Sequence, residues 1–140
     1  MADELLARKV VETMLARDCF SQWLGVRLIK IGLGQVEIEM TVRKEMLNGF
    51  ARCHGGIPFS LADSALAFAA NTHGQIAVAI DNTIPYPAPI NDGDTLRASA
   101  GEIKCGNQIG FYDVTVTNQH GHKVAVFRGT VYRTGKDYLS

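Results

Sequence analysis

A chain of 140 residues is long enough for one domain with a buried core. Hydrophobic residues at 46% and charged residues at 20% are ordinary for a globular protein, and fourteen Lys and Arg balance fourteen Asp and Glu. That balance leaves no charged field of the kind that recruits nucleic acid or an anionic membrane, so neither is expected as a partner.

The N-terminal stretch "MADELLARKVVETMLARDCF" mixes charges through its apolar residues, unlike the unbroken apolar core of a signal peptide. Residues 4 to 17 predict a helix with Leu6, Val10 and Met14, and Ala7, Val11 and Leu15 beside them, on one apolar stripe and Asp3 as its N-cap. Cys19, Cys53 and Cys105 are odd in number, widely spaced and without a C-x-x-C pair. They predict neither a disulfide framework nor a zinc site, and they fit a reducing, cytoplasmic setting.

Strand character follows. Val36, Ile38, Met40 and Val42 alternate with Glu37, Glu39, Thr41 and Arg43, the period of a strand with one wet face. Gly32 and Gly34 suit a turn from an earlier strand over roughly residues 25 to 31.

The stretch from Pro58 to Asn71 is different. Its apolar residues are not confined to one stripe, alanines fill most of the rest, and one carboxylate, Asp63, sits among them. A helix apolar on nearly all sides is expected to be wrapped by protein. No charge lies between Asp63 and Asp81, but "NTHGQ" interrupts that span, so no membrane crossing is expected. Beyond it, "QIAVAIDNTIPY", "TLRASAGEIK", "IGFYDVTVTN" and "VAVFRGTVYRT" read as strands separated by turn residues. The order is helix, two strands, a central helix and about four strands: one α+β domain over residues 1–140, an antiparallel sheet with helix on one face.

Pro58 fits a first helical turn, which puts Gly55 and Gly56 at or before the helix N-terminus. Backbone N–H groups there lack partners and carry the positive end of the helix dipole, a cradle for an oxyanion that side-chain-free glycines leave open. Gly56 and Asp63 lie seven residues apart, roughly 10 Å along a helix. If cradle and acid cooperate, one of them comes from a second subunit. A helix starting at Ser60 would instead make Ser60 and Asp63 a capping pair. His54, beside the glycines, and Asn48, in a loop, are a candidate catalytic residue and a candidate water-orienting amide. Each also has an ordinary structural reading, as a surface or core histidine and as a turn former.

Taken together, "NGFARCHGGIPFSLAD" resembles the signature of hotdog-fold acyl-CoA thioesterases, in particular the phenylacetate-degradation, PaaI-like type. The "GQVEIEM", "GDTLRASA" and "FRGTVYRTG" stretches are similar to that family as well. The resemblance implies a hotdog fold, a curved antiparallel sheet of five or six strands wrapped around a long central helix, with an N-terminal helix. It implies homodimers with a continuous sheet and interfacial sites, often paired into tetramers. The implied substrate is an acyl-CoA, aryl or medium-chain, hydrolysed without cofactor or metal. Asp63 matches the catalytic acid, as general base or nucleophile. Gly55 matches the N–H that polarises the carbonyl, His54 the residue supporting that contact, and Asn48 the water-orienting amide.

Two departures stand out. Ala79 falls at the position where some relatives carry a serine that holds water, so that role is either absent or filled by Asp81, Asn82 or Thr83. "PYPAPI" also lacks the arginine that many relatives place in the following loop. Two other functions compete. A non-catalytic acyl-thioester-binding module would need no water-activating acid. A hotdog hydratase would want an Asp and a His close together, whereas Asp63 and His73 are ten apart.

Overall fold

The computed structural model describes residues 2–140. Helix α1 spans Ala2–Arg17 and α2 spans Cys19–Leu24; strands β1 (Arg27–Gly32) and β2 (Gln35–Thr41) follow. A 3-10 turn at Lys44–Met46 leads to α3 (Gly56–Asn71), then β3 (Gln75–Thr83), β4 (Thr95–Cys105), β5 (Ile109–Thr117) and β6 (Lys123–Asp137). The strands form one sheet in the order β1-β2-β4-β5-β6-β3, antiparallel at every step. None of the described helices is long and apolar enough to cross a membrane.

Alternation in the sequence carries directly into burial. Val36, Ile38 and Met40 of β2 are buried, as are Leu96, Ala98 and Ala100 of β4 and Tyr112, Val114 and Val116 of β5. These rows make the inner face of the sheet, and α3 lies against β2 through β6 on it. The alanines explain the close fit. Ala62, Ala65, Ala69 and Ala70 are buried where the helix meets the sheet, while Leu61, Leu66 and Phe68 fill the spaces between strands. Each such large side chain contributes on the order of 1.5–3 kcal/mol by leaving water. Phe59 meets Phe127 edge to face, with centroids 5.5 Å apart.

Three details differ from the sequence reading. Helix α1 begins before residue 4, so Asp3 sits inside its first turn and favours the helix dipole instead of capping it. Of the expected stripe Ala7, Val10 and Val11 are buried, while Leu6 stays exposed at the surface. Helix α2 was not anticipated. Asp18 caps it by accepting from the Ser21 N–H at 2.9 Å, and Gly25, at φ 82°, ends it in the left-handed conformation. Six residues are too few for a visible apolar period. The buried Ser21 hydroxyl lies 2.7 Å from that of Ser64 and docks α2 onto α3.

Gly129, on β6, lies where the sheet backbone packs closely under Leu66 of α3. A Cβ there would fall 2.5 Å from Leu66 Cδ2 and 2.9 Å from Asn82 Oδ1. Gly129→Ala is expected to lower unfolding free energy by about 1–3 kcal/mol through overpacking, read as a lower urea midpoint at unchanged slope.

Candidate active site

The loop leading into α3 is tied down residue by residue. Asn48 Oδ1 accepts the N–H groups of Phe50 at 2.8 Å and Arg52 at 3.2 Å. Ala51 between them takes a left-handed φ of 59°. Asn48 thus builds the turn with its carbonyl oxygen, which leaves its Nδ2 as the group able to meet a ligand. The Cys53 N–H donates to Ile90 O at 2.9 Å and the His54 N–H to Met46 O at 2.8 Å, so the chain enters the helix from a fixed direction.

Helix α3 starts at Gly56, with Gly55 at the N-cap position and no side-chain oxygen capping it. His54 takes that part: its Nδ1 accepts the Gly56 N–H at 2.9 Å. An acceptor at Nδ1 places the proton of the neutral ring on Nε2. Of the two glycine N–H groups, Gly56 is therefore already engaged, while that of Gly55 has no hydrogen-bond partner among the described residues. Tyr86 completes the setting by donating its hydroxyl to Gly55 O at 2.8 Å. A Cβ on Gly55 would approach the Tyr86 ring to 3.4 Å, so the missing side chain keeps this corner open. Tyr86 was absent from the sequence reading. Its signal lay in Pro85 and Pro87, which hold the residue between them in extended chain.

The start at Gly56 also excludes the capping pair. Ser60 Oγ donates back to Gly56 O at 2.7 Å, and Asp63 lies two turns inside the helix. Asp63 Oδ1 accepts from Asn82 Nδ2 at 3.2 Å. Burial pushes the Asp63 carboxyl above its ordinary value of 3.8; the Asn82 hydrogen bond pulls it down, and the Asp18 carboxylate adds to the rise. The neighbouring Cys53 is no rival nucleophile, since burial and then Asp94 push its thiol up to about 11.

Why Asn82 and not its neighbours is settled by a bulge. On β3, Ala79 pairs with Val131 and Asn82 with Gly129, so three steps on one strand face two on the other. The extra residue reverses which side chains face inward. Asn82 turns toward α3, while Asp81 and Thr83, paired with Thr130 and Arg128, lie exposed. Asn82 Oδ1 is buried without a partner, the one unmet group beside Asp63. His73 goes elsewhere, with its Nε2 2.6 Å from Glu102 Oε1 beyond the far end of α3. The Asp–His proximity a hydratase would want is absent from the described residues. Within the chain the acid with Asn82, and the open Gly55 N–H with His54 and Tyr86, form two clusters along one helix, with Asn48 in the loop that leads to the second.

A carboxyl whose folded pKa lies above 3.8 holds its proton more tightly folded than unfolded. Stability is then lost as pH rises from 3.8 through the folded pKa. Asp63→Asn is expected to be more stable than the parent near neutral pH, with the difference vanishing below pH 3.8; paired urea melts across pH check this.

Comparison with known proteins gives these clusters a family. A family model described as Thioesterase superfamily matches residues 50–125, which include His54, Gly55, Asp63 and Asn82. The acyl-coenzyme A thioesterase PaaI of Escherichia coli is 43% identical over 122 residues, spanning 87% of this chain and 87% of that protein. The solved structure of the E. coli PaaI protein from the phenylacetic acid degradation operon superposes with a TM-score of 0.94 at 40% identity. That match covers 96% of this chain and 97% of the other. A Streptococcus mutans protein solved bound to acetyl CoA matches with a TM-score of 0.78 at 30% identity, covering 80% of this chain and 90% of that one. The half-buried acid and the open N–H thus lie on the central helix of a hotdog sheet, and the chain belongs to the thioesterase superfamily as a PaaI-like hotdog thioesterase.

Proposed function

We propose that the chain hydrolyses acyl-CoA thioesters to the free acid and coenzyme A, with an aryl or medium-length acyl group as substrate. The observation that carries this reading is the Gly55 N–H, without a partner among the described residues and unshielded by a side chain, at the start of the helix that also carries the half-buried Asp63 carboxylate. The names of its relatives support the substrate class. PaaI of E. coli is an acyl-coenzyme A thioesterase, and the S. mutans neighbour holds acetyl CoA.

The chemistry follows from the groups present. The thioester oxygen accepts the Gly55 N–H, where the helix dipole favours the charge that develops on it. His54 acts on this contact by holding the first turn of α3 through Gly56. Asp63, as general base, takes a proton from water while the water oxygen attacks the carbonyl carbon. The tetrahedral intermediate then collapses with cleavage of the C–S bond, and the thiolate leaves to be protonated. Asp63 attacking directly would give an anhydride that water then opens. Asn82 orients the carboxylate, and Asn48 Nδ2 meets the water or the substrate. Asp81 and Thr83, exposed beside Asn82, are reserved for contact with the substrate's outer portion.

Acid and cradle lie roughly 10 Å apart on one helix, so we pair the Asp63 of one subunit with the Gly55 of another. Strand β3 is a sheet edge, and its Val78 and Ile80 are 47% and 57% exposed. An apolar edge of this kind suits pairing with a second copy, giving a homodimer with a continuous sheet and, by further pairing, a tetramer. Three unpaired cysteines accord with a cytoplasmic setting.

Asp63→Asn is expected to reduce thiol release from acyl-CoA by roughly 10²- to 10⁴-fold without altering the oligomer. Undiminished turnover would remove Asp63 from the reaction. Ile80→Lys is expected to shift the protein toward monomers in analytical ultracentrifugation and to lower activity in parallel. A fully active monomer would place acid and cradle in one chain.

A further inference from the structure

Beyond the far end of α3 the fold collects three potential metal donors from separate parts of the chain. His73 Nε2, a Glu102 carboxylate oxygen and Cys105 Sγ all lie within 4.8 Å of one another. We propose that His73, Glu102 and Cys105 form a binding site for a divalent transition metal, zinc by its donor set, distinct from the thioester site.

Sequence spacing hides this site, and a second bulge makes it. Residues 102 and 105 on a regular strand would face opposite sides of the sheet. The register of β4 slips between Glu102 and Lys104, so Glu102 pairs with Tyr112 and Cys105 with Gly110, both inward-facing positions of β5. Carboxylate and thiol therefore share a face, beneath the residue that follows the C-cap of α3. That end of the helix carries its negative dipole, which favours a cation.

The donors suit a borderline-soft ion. Imidazole nitrogen and thiolate sulfur disfavour magnesium and calcium, and three protein ligands leave a fourth tetrahedral position to water. Bonds of about 2.0–2.3 Å place tetrahedral ligand atoms roughly 3.3–3.7 Å apart. The His73–Glu102 contact, at 2.6 Å, opens by a fraction of an ångström and the sulfur closes by about one. Tyr112 Oη donates to the same Glu102 oxygen at 2.9 Å, the outer support that metal-binding carboxylates need. A cleft of about 310 Å³, lined by Leu6, His73, Gly74 and Asp137 among others, opens the imidazole to solvent.

Charge balances without further residues. Metal binding forms a metal–sulfur bond and releases the Cys105 proton to water; carboxylate and thiolate then cancel the ion's two charges. Arg133 is the neighbouring cation, its Nη1–H held on Gly106 O at 2.8 Å, next to Cys105. The ion would tie the end of α3 to the β4–β5 hairpin.

The test is a cobalt titration of the full chain after chelator treatment. A thiolate-to-cobalt charge-transfer band with tetrahedral ligand-field absorption is expected, lost on adding zinc. Cys105→Ser should abolish the charge-transfer band, and Cys19→Ser should retain it. Tyr112→Phe should weaken cobalt binding by roughly 10- to 100-fold. His73→Ala, beyond the end of α3 and with no part in the core, gives the same loss should Cys105→Ser fail to fold. No band in the parent protein, or a band undiminished in folded Cys105→Ser or in His73→Ala, overturns the proposal.

Discussion

The position at which α3 begins constrains nearly everything else in this molecule. A start at Gly56 leaves the Gly55 N–H outside the helical ladder and puts Asp63 two turns inward, on the part of the helix that meets β3. Begin the helix at Ser60, and the acid becomes a cap and the glycines an ordinary turn. No capping side chain of the usual kind holds the start where it is. An imidazole does so from outside, together with a loop whose backbone is bonded to Met46 and Ile90.

The sheet answers the helix with local irregularity. Two polar groupings, Asp63 with Asn82 and His73 with Glu102 and Cys105, depend on a slip in strand register, one on β3 and one on β4. A perfectly paired sheet would turn Asn82 outward and separate Glu102 from Cys105. Gly129 belongs to the same design, because only a bare backbone leaves room for Leu66 and the Asn82 amide together. Regular pairing makes the core, and its interruptions aim the polar groups.

This division also explains what could be read before the structure. The alternation of Val36, Ile38 and Met40 and the all-round apolarity of α3 are properties of composition and period, and they carried into burial directly. The six-stranded antiparallel sheet and its inner helix were legible for that reason. That His54 and Gly55 stand at the start of α3 and Asp63 two turns within it was legible because they are close in sequence. Asn82 was held open among three neighbours, since pairing decides a bulge. Tyr86 and the engagement of Gly56 by His54 depend on side-chain directions that no period encodes, and α2 was too short to show one.

The imidazole at the helix start has a bearing on how substitutions there are interpreted. His54 supplies the acceptor that an N-cap serine or aspartate normally supplies, so the first turn of α3 is held by a side chain outside it. Its removal frees the Gly56 N–H, lets the turn fray and moves the Gly55 dipole away from its aim. A kinetic defect at position 54 is therefore a measure of helix registration as much as of proton chemistry. An ordinary loop histidine in sequence serves as the mechanical stop against which the first turn of α3 is aligned.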